Sequence, residues 1–250
     1  MAEESLRYAV IVADGELPAA SVLAKAIAPA RRVPVQDLLL PMRQCWGLVA
    51  LDAEEAPAKE EARRLGESGV RALAIPANLV EEAPAAELVY EFESRPSPVR
   101  LVAAAVFRQT VRKVVAQESG PTAAERALKI GLSMATGIPL GMGGAKKVER
   151  KVVESGDLVY WLDVYSGAPL RRYRLAAHDF DFSCLGERMG FDAPGNFRRV
   201  LEWLAPDARA LNRGARGILN GTPVRELGYE SLADLDREGR WLLTLQELAP

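Results

Sequence analysis

The chain has 250 residues, 49% of them apolar and 26% charged, with a formal net charge of −2. That balance describes a packed globular protein and excludes a disordered, collagen-like or disulfide-scaffolded chain. At roughly 100–200 residues per domain, the length suits one large domain or two ordinary ones with a full core.

The two cysteines, Cys45 and Cys184, form no CxxC pair and read as free thiols in a reducing compartment. The opening stretch MAEESLRYAVIVADG lacks the basic and apolar regions of a signal peptide. The most membrane-like run, residues 127–144, carries Lys129, Pro139 and several glycines, which a spanning helix of about 20 apolar residues would not. A cytoplasmic location is the expectation. The charge is uneven along the chain. Residues 1–95 hold 10 Lys/Arg against 16 Asp/Glu, and residues 96–150 hold 9 against 3. A basic middle beside an acidic start can steer an anionic partner, or can merely be two solvated faces.

In chain order, RYAVIVA (7–13) is a short apolar run ending at Asp14-Gly15, and predicts a buried strand. A helix follows, with Val22, Leu23, Ala26 and Ile27 at helical spacing. Residues 33–41 (VPVQDLLLP) are strand-compatible, although VQDLLL also fits a helical turn. CWGLVALD (45–52) predicts a strand, 56–69 a helix and VRALAIP (70–76) a strand. The resulting β-α-β-β-α-β order is the ferredoxin-like pattern, assigned to a domain over 1–80. Residues 81–97 read as an acidic, proline-rich linker with a short strand at LVYEF.

A mixed α/β domain is expected over 98–190. Its first segment, 97–121, fits one helix face and, nearly as well, a valine-rich strand. Residues 122–137 predict a helix whose Thr122 and Glu125 spell a capping box. Residues 157–177 predict a β-hairpin turning at SGAP. Helices near 194–204, 207–219 and 231–247 would form a C-terminal cap over 191–250. The fold class is α+β: a ferredoxin-like N-terminal domain, then a mixed domain with a β-hairpin core and that helical cap.

HDFDFSC (178–184) holds the only histidine and is the densest set of ligand-type side chains. As a strand it would alternate, placing His178, Phe180, Phe182 and Cys184 on one face and Asp179, Asp181 and Ser183 on the other. His178 and Cys184 would then lie about 20 Å apart along the strand. Zinc ligands must converge to about 2.0–2.3 Å of one ion. The expectation is Phe180 and Phe182 inside, Asp179 and Asp181 outside, and no metal. GIPLGMGGAKK (137–147) departs from the phosphate-loop pattern, because Ala145 separates Gly144 from Lys146 and Lys147 replaces Ser or Thr. An RNA-binding use of the first domain is not expected, since Tyr8 and Trp46 stand alone on an acidic domain. Neither cysteine context nor a Gly-x-Ser-x-Gly elbow supports nucleophilic catalysis.

Two surfaces are nominated. Trp161, Tyr165, Arg171, Arg172, Tyr173 and Arg174 on the hairpin have the composition of a protein interface. Arg108, Arg112, Lys113, Lys146 and Lys147 could contact an anion. The leading expectation is a non-enzymatic regulatory or scaffolding protein that binds another protein or a small ligand, without a cofactor. A peripheral membrane or anionic-ligand binder using 98–147 is one alternative. An enzyme with a site assembled from distant residues is the other.

Overall fold

The computed structural model describes residues 6–119 and 147–249, with side chains for 6–110 and 156–249. The elements are β1 (Tyr8–Val12), α1 (Ala20–Arg31), α2 (Val35–Gln44), β2 (Leu48–Ala53), α3 (Glu55–Glu67), β3 (Ala72–Pro76), β4 (Ala86–Leu88), β5 (Val99–Ser119), β6 (Lys147–Ser166), β7 (Arg171–Ala176), α4 (Ala193–Leu204), β8 (Ala208–Leu211), α5 (Arg213–Leu219), α6 (Val224–Leu227) and α7 (Leu232–Leu248). The chain is therefore mixed α+β, with two sheets and several helices. Met1–Phe107 and Val159–Pro250 together form one compact unit, and Arg108–Leu158 a second. In the second unit, residues 108–119 of β5 and 147–158 of β6 are strand. The helix expected over 122–137, the loop 137–146 and Lys146 lie outside the described residues.

In the first unit, β1 is the centre of a three-stranded sheet ordered β2-β1-β3 and runs antiparallel to both neighbours. Ala9 to Val12 are fully buried, as a central strand covered on both faces must be. Of residues 33–41, which the sequence allowed as a strand, 35–41 are helical. Leu38 and Met42 are buried four residues apart while Leu39 and Leu40 are exposed, which is a helical period. Pro34 and Pro41 also lack the N–H a sheet ladder requires. The order is thus β-α-α-β-α-β with three strands, not the four-stranded ferredoxin-like arrangement. Arg31, at the end of α1, fastens the helical layer to the sheet. It donates to both Glu61 oxygens of α3 (2.7 and 2.9 Å) and to the Val49 carbonyl of β2 (3.2 Å).

The second sheet is ordered β4-β7-β6-β5-β8. Within the ambiguous segment 97–121, residues 99–119 are strand β5, not an amphipathic helix. Leu101, Ala103 and Ala105 pack into a core with β1 and α7, while Val102 and Ala104 pack into another with Phe197, Val200 and Leu201 of α4. A strand covered on both faces carries an unbroken apolar run, so its period of two is hidden.

Helix α7 packs a broad buried face, including Leu235, Glu238, Trp241 and Leu243, into the first unit. Leu235, Trp241 and Leu243 share the core that contains β1 and Leu101. Trp241 Nε1 donates to the Val12 carbonyl at 2.7 Å. Its indole covers Gly47, whose φ is +87° and where a Cβ would come within 2.4 Å of the ring. This core draws on residues from either side of the expected linker 81–97 and of position 191.

Two further segments depart from expectation. The helix expected over 207–219 begins only at Arg213. Ala208–Leu211 is strand β8, parallel to β5, and Asn212 ends it by accepting the Ala215 N–H (2.7 Å) as an N-cap. Residues 178–184 are not a strand: residues 177–179 turn, and Phe182–Arg188 is 3-10 helix. Phe180 and Phe182 are buried and Asp179 and Asp181 exposed, as the sequence indicated. His178 is exposed, however, and its Nε2 lies 3.1 Å from Asp179 Oδ2. Asp181 turns to its own backbone instead, accepting the Ser183 N–H at 2.8 Å. The physical reason is that local Asp-to-backbone bonds compete with the sheet ladder. Among the described residues no helix is long and apolar enough to cross a membrane.

Candidate functional site

The expected hairpin is present: β6 pairs antiparallel with β7, with Trp161 opposite Ala176, Asp163 opposite Arg174 and Tyr165 opposite Arg172. Alternation divides the six nominated hairpin residues instead of joining them in one surface. Trp161, Tyr165, Arg172 and Arg174 face α7. Arg171 and Tyr173 take the opposite face. Tyr165, Arg172 and Arg174 are buried, Trp161 and Tyr173 half-buried, and Arg171 exposed.

The buried members surround an aspartate that the sequence reading did not nominate. Asp163 has no solvent exposure. Arg174 grips it with Nε to Oδ1 at 2.7 Å and Nη2 to Oδ2 at 2.8 Å. Arg172 adds Nε and Nη2 bonds to Oδ2 at 3.0 and 2.5 Å. Both Nη2 groups also donate to Asp236 Oδ1 of α7, at 2.5 Å from Arg174 and in closer contact from Arg172. Two guanidiniums thus meet two carboxylates, one buried and one with its side chain 42% exposed. Burial disfavours the charged forms of Arg172, Arg174 and Asp236. For Arg172 and Arg174 the charge of and bonds to Asp163 and Asp236 outweigh burial, so both pKa values rise. For Asp236 burial would raise the pKa, yet the two arginine bonds hold it below its ordinary 3.8. Tyr165 stacks under Arg172 (5.4 Å), and burial raises its pKa. Among the described residues, neither its hydroxyl nor Trp161 Nε1, both buried, has a hydrogen-bond partner. Gly239 of α7 makes room for that hydroxyl, which would sit 2.6 Å from a Cβ there.

Sequence could have found Asp163. A lone charge inside the apolar arm LVYWLDVY must be paired if buried, and Arg172 and Arg174 lie two residues apart on the facing arm. Asp236 is supplied by the fold alone.

A second buried polar cluster also involves α7. Glu238, 1% exposed, accepts from the Tyr229 hydroxyl, from Asn212 Nδ2 (2.8 Å) and from the Arg213 N–H (3.1 Å). Burial raises its pKa above the ordinary 4.5 despite those donors. Asn212 exchanges two bonds with Ala104 of β5, at 2.9 and 3.0 Å. Tyr229 stacks on Trp46 at 4.5 Å, and Trp46 Nε1 donates to Asp234 at 2.8 Å. Every polar atom named here is engaged within the chain, which makes this cluster a brace between β5, α5 and α7.

What the hairpin presents to solvent is its margin. Among the described residues β4 is the last strand of the sheet, and it pairs parallel with β7, Glu87 opposite Tyr173 and Leu88 opposite Arg174. Val89 N donates to the Arg174 carbonyl at 2.9 Å. Odd residues therefore point their backbone groups at β7, and Ala86 and Leu88 point theirs to the open side. All three β4 residues are exposed. Leu88 is 60% and Tyr90 61% exposed. On the other face Glu87 pairs with Arg171, which lies over Tyr173 at 5.1 Å. Arg171 and Tyr173 thus belong to this margin, while Arg172 and Arg174 anchor it from beneath.

The nominated anion contacts are not assembled by the described structure. Arg108 is exposed on β5, Arg112 and Lys113 follow on the same strand and Lys147 begins β6, the side chains of these last three lying outside the described residues. Among the described residues no group of three His, Cys, Asp or Glu could hold a metal ion. Burial pushes both thiol pKa values up, and Cys45 Sγ is bonded to the Met42 carbonyl (3.2 Å). No known family, curated protein or solved structure matches the chain.

Proposed function

We propose that the chain is a non-enzymatic regulatory or scaffolding protein that binds another protein along the open margin of β4. It would act in the cytoplasm, where Cys45 and Cys184 stay reduced. One observation carries the reading: a sheet edge with outward backbone groups that no other described strand pairs, bordered by an exposed Leu88 and Tyr90. Unpaired edges are templates for a further strand, and exposed aromatic side chains beside them supply specific contacts. The ion-paired hairpin beneath suits this use, because Asp163 and the two arginines fix β7, and β7 fixes β4.

The test is capture of partners by the wild-type chain and by a Leu88→Asp, Tyr90→Ser variant, with Phe191→Asp as a control at another exposed site. The reading expects a partner that is retained by the wild type and the control and lost by the double variant. Equal capture by all three would remove β4 as the binding margin. Circular dichroism must show unchanged melting, as substitutions at exposed sites allow.

A further inference from the structure

We infer that the occupant of the β4 margin is an extended, basic segment of a partner protein, added as a sixth strand to the five-stranded sheet; this rests on the binding reading above. The backbone geometry specifies an extended chain. Ala86 and Leu88 turn their N–H and C=O groups outward, and only another strand matches donors and acceptors at that spacing. The charge specifies the sign. From residue 81 to 94 the sequence EEAPAAELVYEFES holds five glutamates and no lysine or arginine. Glu87 is matched by Arg171. Glu82, Glu91 and Glu93 are exposed and make no ion pair among the described residues. Arg95 pairs with Asp207 outside the segment, and Arg240 meets the segment at the Glu81 carbonyl rather than at a carboxylate. An arriving segment with lysines or arginines would be attracted, and an acidic one repelled.

Alternation adds a pattern. Along β4, Glu87 lies on one face with Arg171 and Tyr173, and Leu88 on the other. A strand added alongside would set every second side chain near Glu87 and the ones between near Leu88. The fitting segment therefore alternates basic and apolar residues. The three-residue length of β4, with Glu87 and the glutamates flanking it, also deters neutral or acidic edges, so the margin selects against general aggregation while admitting this class.

The experiment titrates the full chain against short fluorescent peptides and reads anisotropy. The probes are an alternating lysine–valine peptide, its glutamate–valine counterpart, and the lysine–valine peptide N-methylated at alternate residues along one edge, then along the other. The expected result is saturable binding of the first that weakens steeply with salt, and at least roughly tenfold weaker binding of the second and of one N-methylated form. Leu88→Pro removes an outward N–H and not one directed at β7, so it should abolish binding while the fold is kept. Glu91→Lys with Glu93→Lys should weaken binding without touching the backbone. Equal affinity for both N-methylated forms would overturn strand addition, and equal affinity for the acidic peptide would overturn the charge selection. Concentration-dependent self-association that is lost in Leu88→Pro would place a second copy there and overturn the proposed occupant. If partner capture depends on Leu88 and Tyr90 while no probe binds, the binding reading survives and this inference fails.

Discussion

Asp163 and Glu238 are both carboxylates removed from water, at opposite flanks of α7, and their surroundings differ in kind. Asp163 is met by two guanidiniums, and the excess positive charge is closed by Asp236 at the surface. Glu238 is met by a hydroxyl, an amide and a backbone N–H, with no cation among the described residues bonded to it. The first arrangement is charge-balanced and fails when one partner is removed. The second is dipolar, so its carboxylate gains from taking up a proton.

The largest expected effect breaks the first cluster. Asp163→Ala leaves two buried arginines sharing one half-exposed aspartate, and should lower the unfolding free energy by about 4 kcal/mol in a urea titration. The joint change Asp163→Leu, Arg172→Met, Arg174→Leu should recover most of that, to within about 1 kcal/mol of wild type. If the triple variant is as unstable as the single one, the ion pairs are contributing more than mutual compensation. Next comes Gly214→Ala. A Cβ there would lie 1.8 Å from the Ala104 carbonyl oxygen, where β5 and α5 meet backbone to backbone. Urea unfolding should show a loss of about 3 kcal/mol.

The smaller predictions separate the clusters by pH. The Glu238 pKa is raised above 4.5, so its contribution is full below that value and is lost as pH rises through the folded value. Glu238→Gln, about 1 kcal/mol less stable at low pH, should close on the wild type as pH increases. The Asp236 pKa is lowered below 3.8, so its contribution is present above that value and is lost as pH falls through the folded value. Asp236→Asn, about 0.5 kcal/mol less stable at neutral pH after allowance for its exposure, should close on the wild type as pH decreases. Stability measured between about pH 3 and pH 7 checks both slopes. Slopes of the same sign would erase the distinction between the clusters.

The parts legible in the sequence were those whose pattern is local. β1 reads as a buried strand because Val10, Ile11 and Val12 sit together before Asp14-Gly15. The hairpin reads from its aromatic arm and SGAP, and α7 from Ser231 and Asp234, which form a capping box. The phenylalanines and aspartates of HDFDFSC were sorted correctly into inside and outside, although the backbone turns where a strand was expected. β5 and α2 were hard for opposite reasons: β5 is apolar on both faces, and α2 is short and bounded by Pro34. The candidate site was half legible. Tyr165, Arg172 and Arg174 were named, but as surface, because no local signal shows that α7 covers them. Leu88 and Tyr90 were visible only as a short strand at LVYEF. Their exposure follows from strand order, which the sequence does not state.

The placement of α7 also bears on how the chain acquires its structure. Trp241 and Val12 are joined across 229 residues, and Trp46 and Asp234 across 188. Contacts of such separation return nothing until a very long loop has closed, so high contact order slows folding. Before that closure, the face of β1 that receives Trp241 is open and apolar, and is the region most prone to wrong association. Chaperone dependence and refolding yield should therefore track the docking of one late-made helix more closely than the formation of either sheet.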